Sequence, residues 1–150
     1  MPRPSLDQTF IEVAKILALR GTCMKMQVGC VMTDIKGRVL STGWNGVHSG
    51  AKHCNEFRFE FKDWPNACND GKPFLAGSDL CEAVHAEQNA LLQCKDPDKI
   101  HTVYTTVSPC MRCVKELMNT SAQRIVFYVN YGQPQAEELW RRYGRDWIKI

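Results

Sequence analysis

Val84-His85-Ala86-Glu87-Gln88-Asn89-Ala90 and, after a short spacer, Thr102-Val103-Tyr104-Thr105-Thr106-Val107-Ser108-Pro109-Cys110-Met111-Arg112-Cys113 decide the fold of this chain. The β-branched and aromatic run Thr102 to Val107 predicts a strand. Pro109 suits a helix start, where its fixed φ and missing N–H cost nothing, so a helix is expected over Cys110 to Asn119. Another helix is expected from about Val84 to Gln93. Cys110 and Cys113 are three residues apart, so in the first turn of a helix both sulfurs can reach one ion. A helix N-terminus favours the thiolates that a metal needs. His85 can supply an imidazole nitrogen as third ligand. Glu87 lies two residues further on, about 200° around an ideal helix, where it can reach a molecule beside the ion better than the ion itself. Three protein ligands leave a fourth tetrahedral position for water, as in catalytic zinc sites. A redox-active or structural C-x-x-C is the alternative, as is a closed zinc site with Cys94 or His101 as fourth ligand.

Outward from this centre, Ser5 can cap a helix whose apolar positions Phe10, Val13, Ala14 and Leu17 follow the helical period as far as Arg20. Val28–Thr33 and Arg38–Trp44 read as two strands of a hairpin about the turn 34–37. Asn45 to about Asp79 is a long insert with its own cysteines and a short helix near Glu56–Lys62. Arg124–Val129 reads as a strand, and about Gln135–Tyr143 as a last helix. Strands alternating with helices imply parallel neighbours and right-handed crossovers. The expected class is α/β: a three-layer α/β/α sandwich with a mixed sheet, in one domain over 1–150.

With 150 residues the chain can bury a core without disulfide staples. Its 19 Lys plus Arg against 16 Asp plus Glu leave +3 with no basic run, which disfavours a polynucleotide partner. Met1-Pro2-Arg3-Pro4-Ser5 lacks an apolar signal core, and no stretch suits a bilayer. The expected location is the cytoplasm, where clusters among the eight cysteines favour metal over disulfides. Trp64, Trp140 and Trp147 read as packing or contact residues, Arg141, Arg142 and Arg145 as a solvated face, and Cys30 and Cys94 as buried thiols.

His-x-Glu opening one helix and Pro-Cys-x-x-Cys opening the next is the zinc deaminase signature. Together with Gln27-Val28-Gly29-Cys30-Val31 and Gly43-Trp44-Asn45-Gly46, it makes the chain resemble the cytidine deaminase superfamily and, within it, the deoxycytidylate deaminases. The resemblance implies a sheet of about five strands with zinc between two helix N-termini. It implies hydrolysis of dCMP at C4 by a water that zinc acidifies, with Glu87 carrying protons to N3 and to the departing ammonia. The product, dUMP, would supply dTMP synthesis. By the same resemblance Ala86 N–H and the Ser108 carbonyl hold the pyrimidine edge and Asn45 the sugar. Lys25 is the first choice for the phosphate, and Tyr131 could close over the substrate. The tRNA adenosine deaminases have a short segment where this chain has forty positions between Asn45 and His85, and the cytidine enzymes have Cys where it has His85. Deamination of another cytosine nucleotide such as dCTP, or a non-catalytic zinc-stabilised nucleotide-binding module, are the alternatives.

Family resemblance also implies a homohexamer activated by dCTP and inhibited by dTTP, each bound with Mg²⁺ near Gly43-Trp44-Asn45-Gly46. Some phage members carry a second, structural zinc. Two of its positions correspond to Cys23 and Cys54, whereas Leu75 and Ala83 stand at the other two offsets. Cys68 and Cys81 are the nearby substitutes, with His53 as a further possibility.

Overall fold

The computed structural model describes residues 2–23, 25–51, 53 and 81–150. Ser5 caps α1 (Leu6–Ala18) through a reciprocal box: Gln8 N–H donates to Ser5 Oγ at 3.1 Å and Ser5 N–H to Gln8 Oε1 at 3.0 Å. The helix ends at Ala18, two residues before the expected Arg20. β1 (Gly29–Thr33) and β2 (Val39–Trp44) form the expected antiparallel hairpin. Its turn is held by Asp34 Oδ1, which accepts from the N–H groups of Lys36 and Arg38, both at 2.9 Å. Next come α2 (Ala86–Gln93), β3 (Thr102–Val107), α3 (Met111–Met118), β4 (Arg124–Val129), α4 (Pro134–Arg142) and β5 (Asp146–Lys149). The expected helix over Glu56–Lys62, with Cys54, Trp64 and Cys68, lies outside the described residues.

The sheet order is β2-β1-β3-β4-β5; β1 runs antiparallel to both its neighbours, whereas β3, β4 and β5 are parallel. Side chains alternate across it. Cys30, Met32, Val103, Ile125, Phe127 and Trp147 meet α2, α3 and α4 on one face. Val31, Tyr104 and Val126 meet α1 on the other. This is the three-layer mixed-sheet sandwich that the sequence predicts. Trp140 and Trp147 are core residues, and Cys30 is fully buried.

Two glycines set how closely helices approach the sheet. A Cβ at Gly29 would stand 2.0 Å from the Ala14 carbonyl oxygen of α1; one at Gly43 would stand 2.4 Å from Ala86 O and 2.5 Å from Ala90 N of α2. Any larger residue at position 43 would push α2, with His85 and Glu87, off β2.

Two features depart from the sequence reading. β5 has no counterpart in it, although the resemblance implies about five strands. Arg145 is not part of a solvated face: its guanidinium donates to the carbonyls of Leu117, Met118 and Ala122 at 3.4, 3.1 and 3.0 Å, closing the C-terminal end of α3. Arg141 and Arg142 do lie on an exposed face, paired with Glu137 and Glu138.

Candidate metal centre and its pocket

The carboxyl ends of parallel strands are where α/β sheets place their ligands. β3 ends at Val107, and Ser108-Pro109 leads straight into α3 with Cys110 at its N-cap. His85 is the N-cap of α2. The two helix starts converge so that His85 Nδ1 lies 3.4 Å from each of Cys110 Sγ and Cys113 Sγ. Two ligands on a tetrahedral zinc, at about 2.0 Å for nitrogen and 2.3 Å for sulfur, stand about 3.5 Å apart. All three ligand atoms lie within 4.8 Å of one another, the one such grouping among the described residues. The donor set therefore fits zinc. Neither Cys94 nor His101 belongs to this grouping, which removes the closed four-ligand alternative built on them.

The electrostatics carry the mark of groups sharing protons where a cation belongs. Hydrogen bonds from Cys113 and His85 pull the Cys110 thiol down to about 4 against the effect of burial. Cys113 is pushed up by its contact with the Cys110 sulfur and by burial. His85 is raised by its hydrogen bond to Cys110. An ion taking these ligands would displace the protons and leave two thiolates and a neutral imidazole.

Glu87 is only 5% exposed and sits against the cluster. Its Oε2 accepts from Cys113 Sγ at 3.3 Å and its Oε1 from Thr105 Oγ1 at 3.0 Å. Burial raises its pKa, outweighing those bonds and the nearby His85.

One pocket opens over this centre, lined by His85, Ala86, Glu87, Ser108 and Cys110. Lys25, Asn45 and Tyr131 line the same pocket, so every residue expected to touch substrate faces one space. Cys23 and Cys81 line it as well, bringing two of the four cysteines expected to hold a second zinc to one region.

Several of these side chains have additional partners that sequence does not reveal. Asn45 Oδ1 accepts from Val28 N–H at 2.8 Å and Nδ2 donates to Met26 O at 2.6 Å, folding the segment before β1 onto the end of β2. Ser108 Oγ accepts from Tyr131 N–H at 2.7 Å and so pins the loop that carries Tyr131. Gln133 Oε1 accepts the Met111 N–H at 2.8 Å, tying the same loop to the start of α3. Trp44 is partly exposed, with the Arg20 guanidinium 5.5 Å from its ring centroid, and its carbonyl accepts from Asn89 Nδ2 at 2.8 Å. Gly46 pairs with Val84 through two backbone hydrogen bonds, so the 43–46 element leads from β2 to the approach of α2. Thr105 was legible only as a strand residue, and Gln133 only as the approach to a helix.

An α/β/α sandwich with a His-Cys-Cys cluster at paired helix starts, and a buried carboxylate beside it, defines a metal-site protein of the deaminase class. The family profile described as cytidine and deoxycytidylate deaminase zinc-binding region matches residues 4–129. The chain belongs to that family. It is 34% identical over 128 residues to the deoxycytidylate deaminase of Mycobacterium phage D29, covering 85% of this chain and 97% of the relative. Against the deoxycytidylate deaminase of Schizosaccharomyces pombe it is 35% identical over 132 residues, 86% of this chain. There it spans only 38% of the relative's length. Among solved structures, the dCMP deaminase of cyanophage S-TIM5 in complex with dCMP and dUMP superposes with a TM-score of 0.75 over the whole of both chains at 22% identity, a likeness of fold.

Proposed function

We propose that the chain, acting as one domain, is a zinc-dependent deaminase that converts dCMP to dUMP and ammonia. The observation that carries this reading is Glu87: a buried carboxylate, in contact with Cys113 and lining the pocket. A structural zinc site has no use for a proton carrier beside it. The names of the phage D29 and fission yeast relatives support the substrate.

In this reading His85, Cys110 and Cys113 hold the zinc, which when bound lowers the pKa of water enough to supply a nucleophile at neutral pH. Glu87 accepts a proton from that water as it adds to C4 of cytosine. It would deliver that proton to N3, then take the proton of the new C4 hydroxyl and hand it to the amine, so that the C4 carbonyl forms as the C4–N bond breaks and ammonia leaves. The upward shift from burial suits a carboxylate that must accept and return a proton near neutrality. Ala86 N–H and the Ser108 carbonyl face the pyrimidine edge. The Asn45 amide oxygen keeps a second lone pair and its nitrogen a second N–H for the sugar. Lys25 meets the phosphate, and Tyr131 closes over the substrate.

The finer parts of the reading are a cytoplasmic role in supplying dUMP for dTMP synthesis and a homohexamer controlled by Mg²⁺-bound dCTP and dTTP at Gly43-Trp44-Asn45-Gly46. The partly exposed Trp44 beside Arg20 supports a nucleotide or subunit contact there. No helix among the described residues is long and apolar enough to cross a membrane. A second zinc on Cys23, Cys54, Cys68 and Cys81 is supported by Cys23 and Cys81 lining the same pocket.

Loss of cytosine absorbance on mixing the protein with dCMP tests the reaction, with dCTP, cytidine and adenosine as parallel substrates. Rapid loss with dCMP alone is expected; faster turnover of dCTP or cytidine would reassign the substrate. Metal analysis should give two zinc ions per chain, and one would remove the second site. Activity against dCMP concentration should be sigmoidal and become hyperbolic with Mg²⁺ and dCTP; a hyperbolic monomer in both conditions would remove the control.

A further inference from the structure

The three ligands sit on two different helices, so the spacing of the cluster depends on how the start of α2 faces the start of α3. Packing fixes each helix against its own neighbours more than against the other helix. α2 lies mainly on β2 and α3 on α4, and the two touch each other only slightly. Outside the ligand cluster, a side-chain hydrogen bond joins them. Gln88, three residues after His85, accepts the His85 backbone N–H through Oε1 at 3.0 Å. Its Nε2 donates to Glu116 Oε1, also at 3.0 Å. Glu116 lies three residues after Cys113 and therefore on the same side of α3.

We propose that Gln88 is a positioning residue for the metal centre, holding the His85 end of α2 at a fixed distance from the Cys110 and Cys113 end of α3 through Glu116. An amide is the group the geometry asks for. It must accept from a backbone N–H at one end and donate to a carboxylate at the other, which neither a carboxylate nor a hydrocarbon of similar length can do. Glu116 supplies a carboxylate acceptor, which makes the inter-helix bond stronger than one between neutral groups. Groups that orient metal ligands without touching the ion typically change metal affinity 10–100-fold. The assignment depends on His85, Cys110 and Cys113 holding the ion.

The test measures zinc affinity of the full chain by competition with a chelator, together with the visible absorption of the cobalt-substituted protein, which reports ligand geometry. Two variants leave the net charge unchanged. Gln88→Leu removes both hydrogen bonds. The double variant Gln88→Glu with Glu116→Gln exchanges donor and acceptor, so that a carboxylate at 88 still accepts from His85 and an amide at 116 donates back to it. Gln88→Leu should weaken zinc binding about 10-fold or more and alter the cobalt spectrum. The exchanged pair should recover most of the affinity and the original spectrum, whereas Gln88→Glu alone, which keeps the bond to His85 but sets two carboxylates against each other, should stay weak; a role confined to capping α2 predicts recovery in both. Zinc affinity of Gln88→Leu within about twofold of the unaltered chain, or an exchanged pair no better than Gln88→Leu, overturns the proposal and leaves the metal site standing. Failure of the unaltered chain to take up zinc removes the metal site and this role together.

Discussion

Tyr104 and Thr105 are neighbours on β3, and they give their hydroxyls to carboxylates on opposite faces of the sheet. On the α1 face Tyr104 OH donates to Asp7 Oδ1 at 2.8 Å. There Arg124 Nη2 stands 2.7 Å from Asp7 Oδ2, and Arg124 Nη1 donates to Asp7 Oδ1 at 3.2 Å. On the α2 face Thr105 Oγ1 donates to Glu87 Oε1 at 3.0 Å, and no Lys or Arg pairs with Glu87 among the described residues. Burial pushes both carboxylates up. At Asp7 the hydrogen bonds from Arg124 and Tyr104 win and its pKa is lowered; at Glu87 burial wins and it is raised. The same device, a strand hydroxyl reaching a carboxylate, yields an ion-paired clasp on one face. On the other it yields a group that can accept a proton. The difference is a guanidinium.

Removing the proton-accepting group should give the largest effect. Glu87→Gln should lower turnover by about 10²–10⁴-fold, the usual contribution of positioned proton transfer, while zinc content and thermal stability stay near those of the unaltered chain. Near-normal turnover with zinc bound would erase the functional side of the contrast. Next is the clasp itself. Asp7→Asn should cost about 2 kcal/mol of stability at pH 7, because the charged hydrogen bonds to Arg124 are lost, and should leave turnover per folded molecule unchanged. The lowered pKa gives the pH dependence its sign. A carboxylate more acidic in the folded state stabilises above its unfolded value near 4, and that stabilisation is lost as pH falls through the folded value. Urea titrations from about pH 6 down to about pH 2.5 should therefore show the stability gap between the unaltered chain and the Asp7→Asn variant closing below about pH 4. A gap that widens in acid would contradict the assignment.

Much of this arrangement was legible because it is local. β3 and β4 are found at the predicted boundaries, since β-branched runs bounded by turn residues leave little choice, and the ligand cluster was legible from three-residue spacing at helix starts. β5 was not legible: Asp146-Trp147-Ile148-Lys149 is four residues long and becomes a strand only because β4 offers it a parallel edge. Arg145 looked like surface charge for a related reason, as the carbonyls it caps belong to residues more than twenty positions earlier. The Asn45 and Gln88 hydrogen bonds join elements that no periodicity links. The packing face of a residue shows in its neighbours along the chain; a side-chain bond between elements shows only once those elements have docked.

A smaller effect separates the two hydroxyls. Thr105 Oγ1 has one proton and two acceptors in reach, Glu87 Oε1 and the Val107 carbonyl at 2.9 Å. Thr105→Val keeps the shape and removes both bonds, so turnover should fall about 10-fold with KM for dCMP changing less, as one shared hydrogen bond to a charged group is lost. A fall confined to KM would mean that Thr105 shapes the pocket and does not act on Glu87.

The smallest effect belongs to the phenol of the clasp. Tyr104→Phe removes one hydrogen bond to Asp7 and should cost about 1 kcal/mol at pH 7, with turnover unaltered. What makes it informative is its behaviour in base. Burial and the Asp7 carboxylate raise the Tyr104 pKa to about 12, above an ordinary phenol near 10. A group whose folded pKa is raised gives its full stabilisation below the unfolded value and loses it as pH rises towards the folded one. Between about pH 10 and 12 the unaltered chain should lose about 1.4 kcal/mol per pH unit relative to the Tyr104→Phe variant, which has no phenol at this position. The two stabilities should therefore meet at about pH 11, above which the variant is the more stable chain. Denaturant midpoints of both proteins from about pH 8 to about pH 11.5, with groups common to both cancelling in the difference, read the crossing directly. Parallel curves over that range would mean that Tyr104 titrates as an ordinary phenol and that Asp7 is held by Arg124 alone.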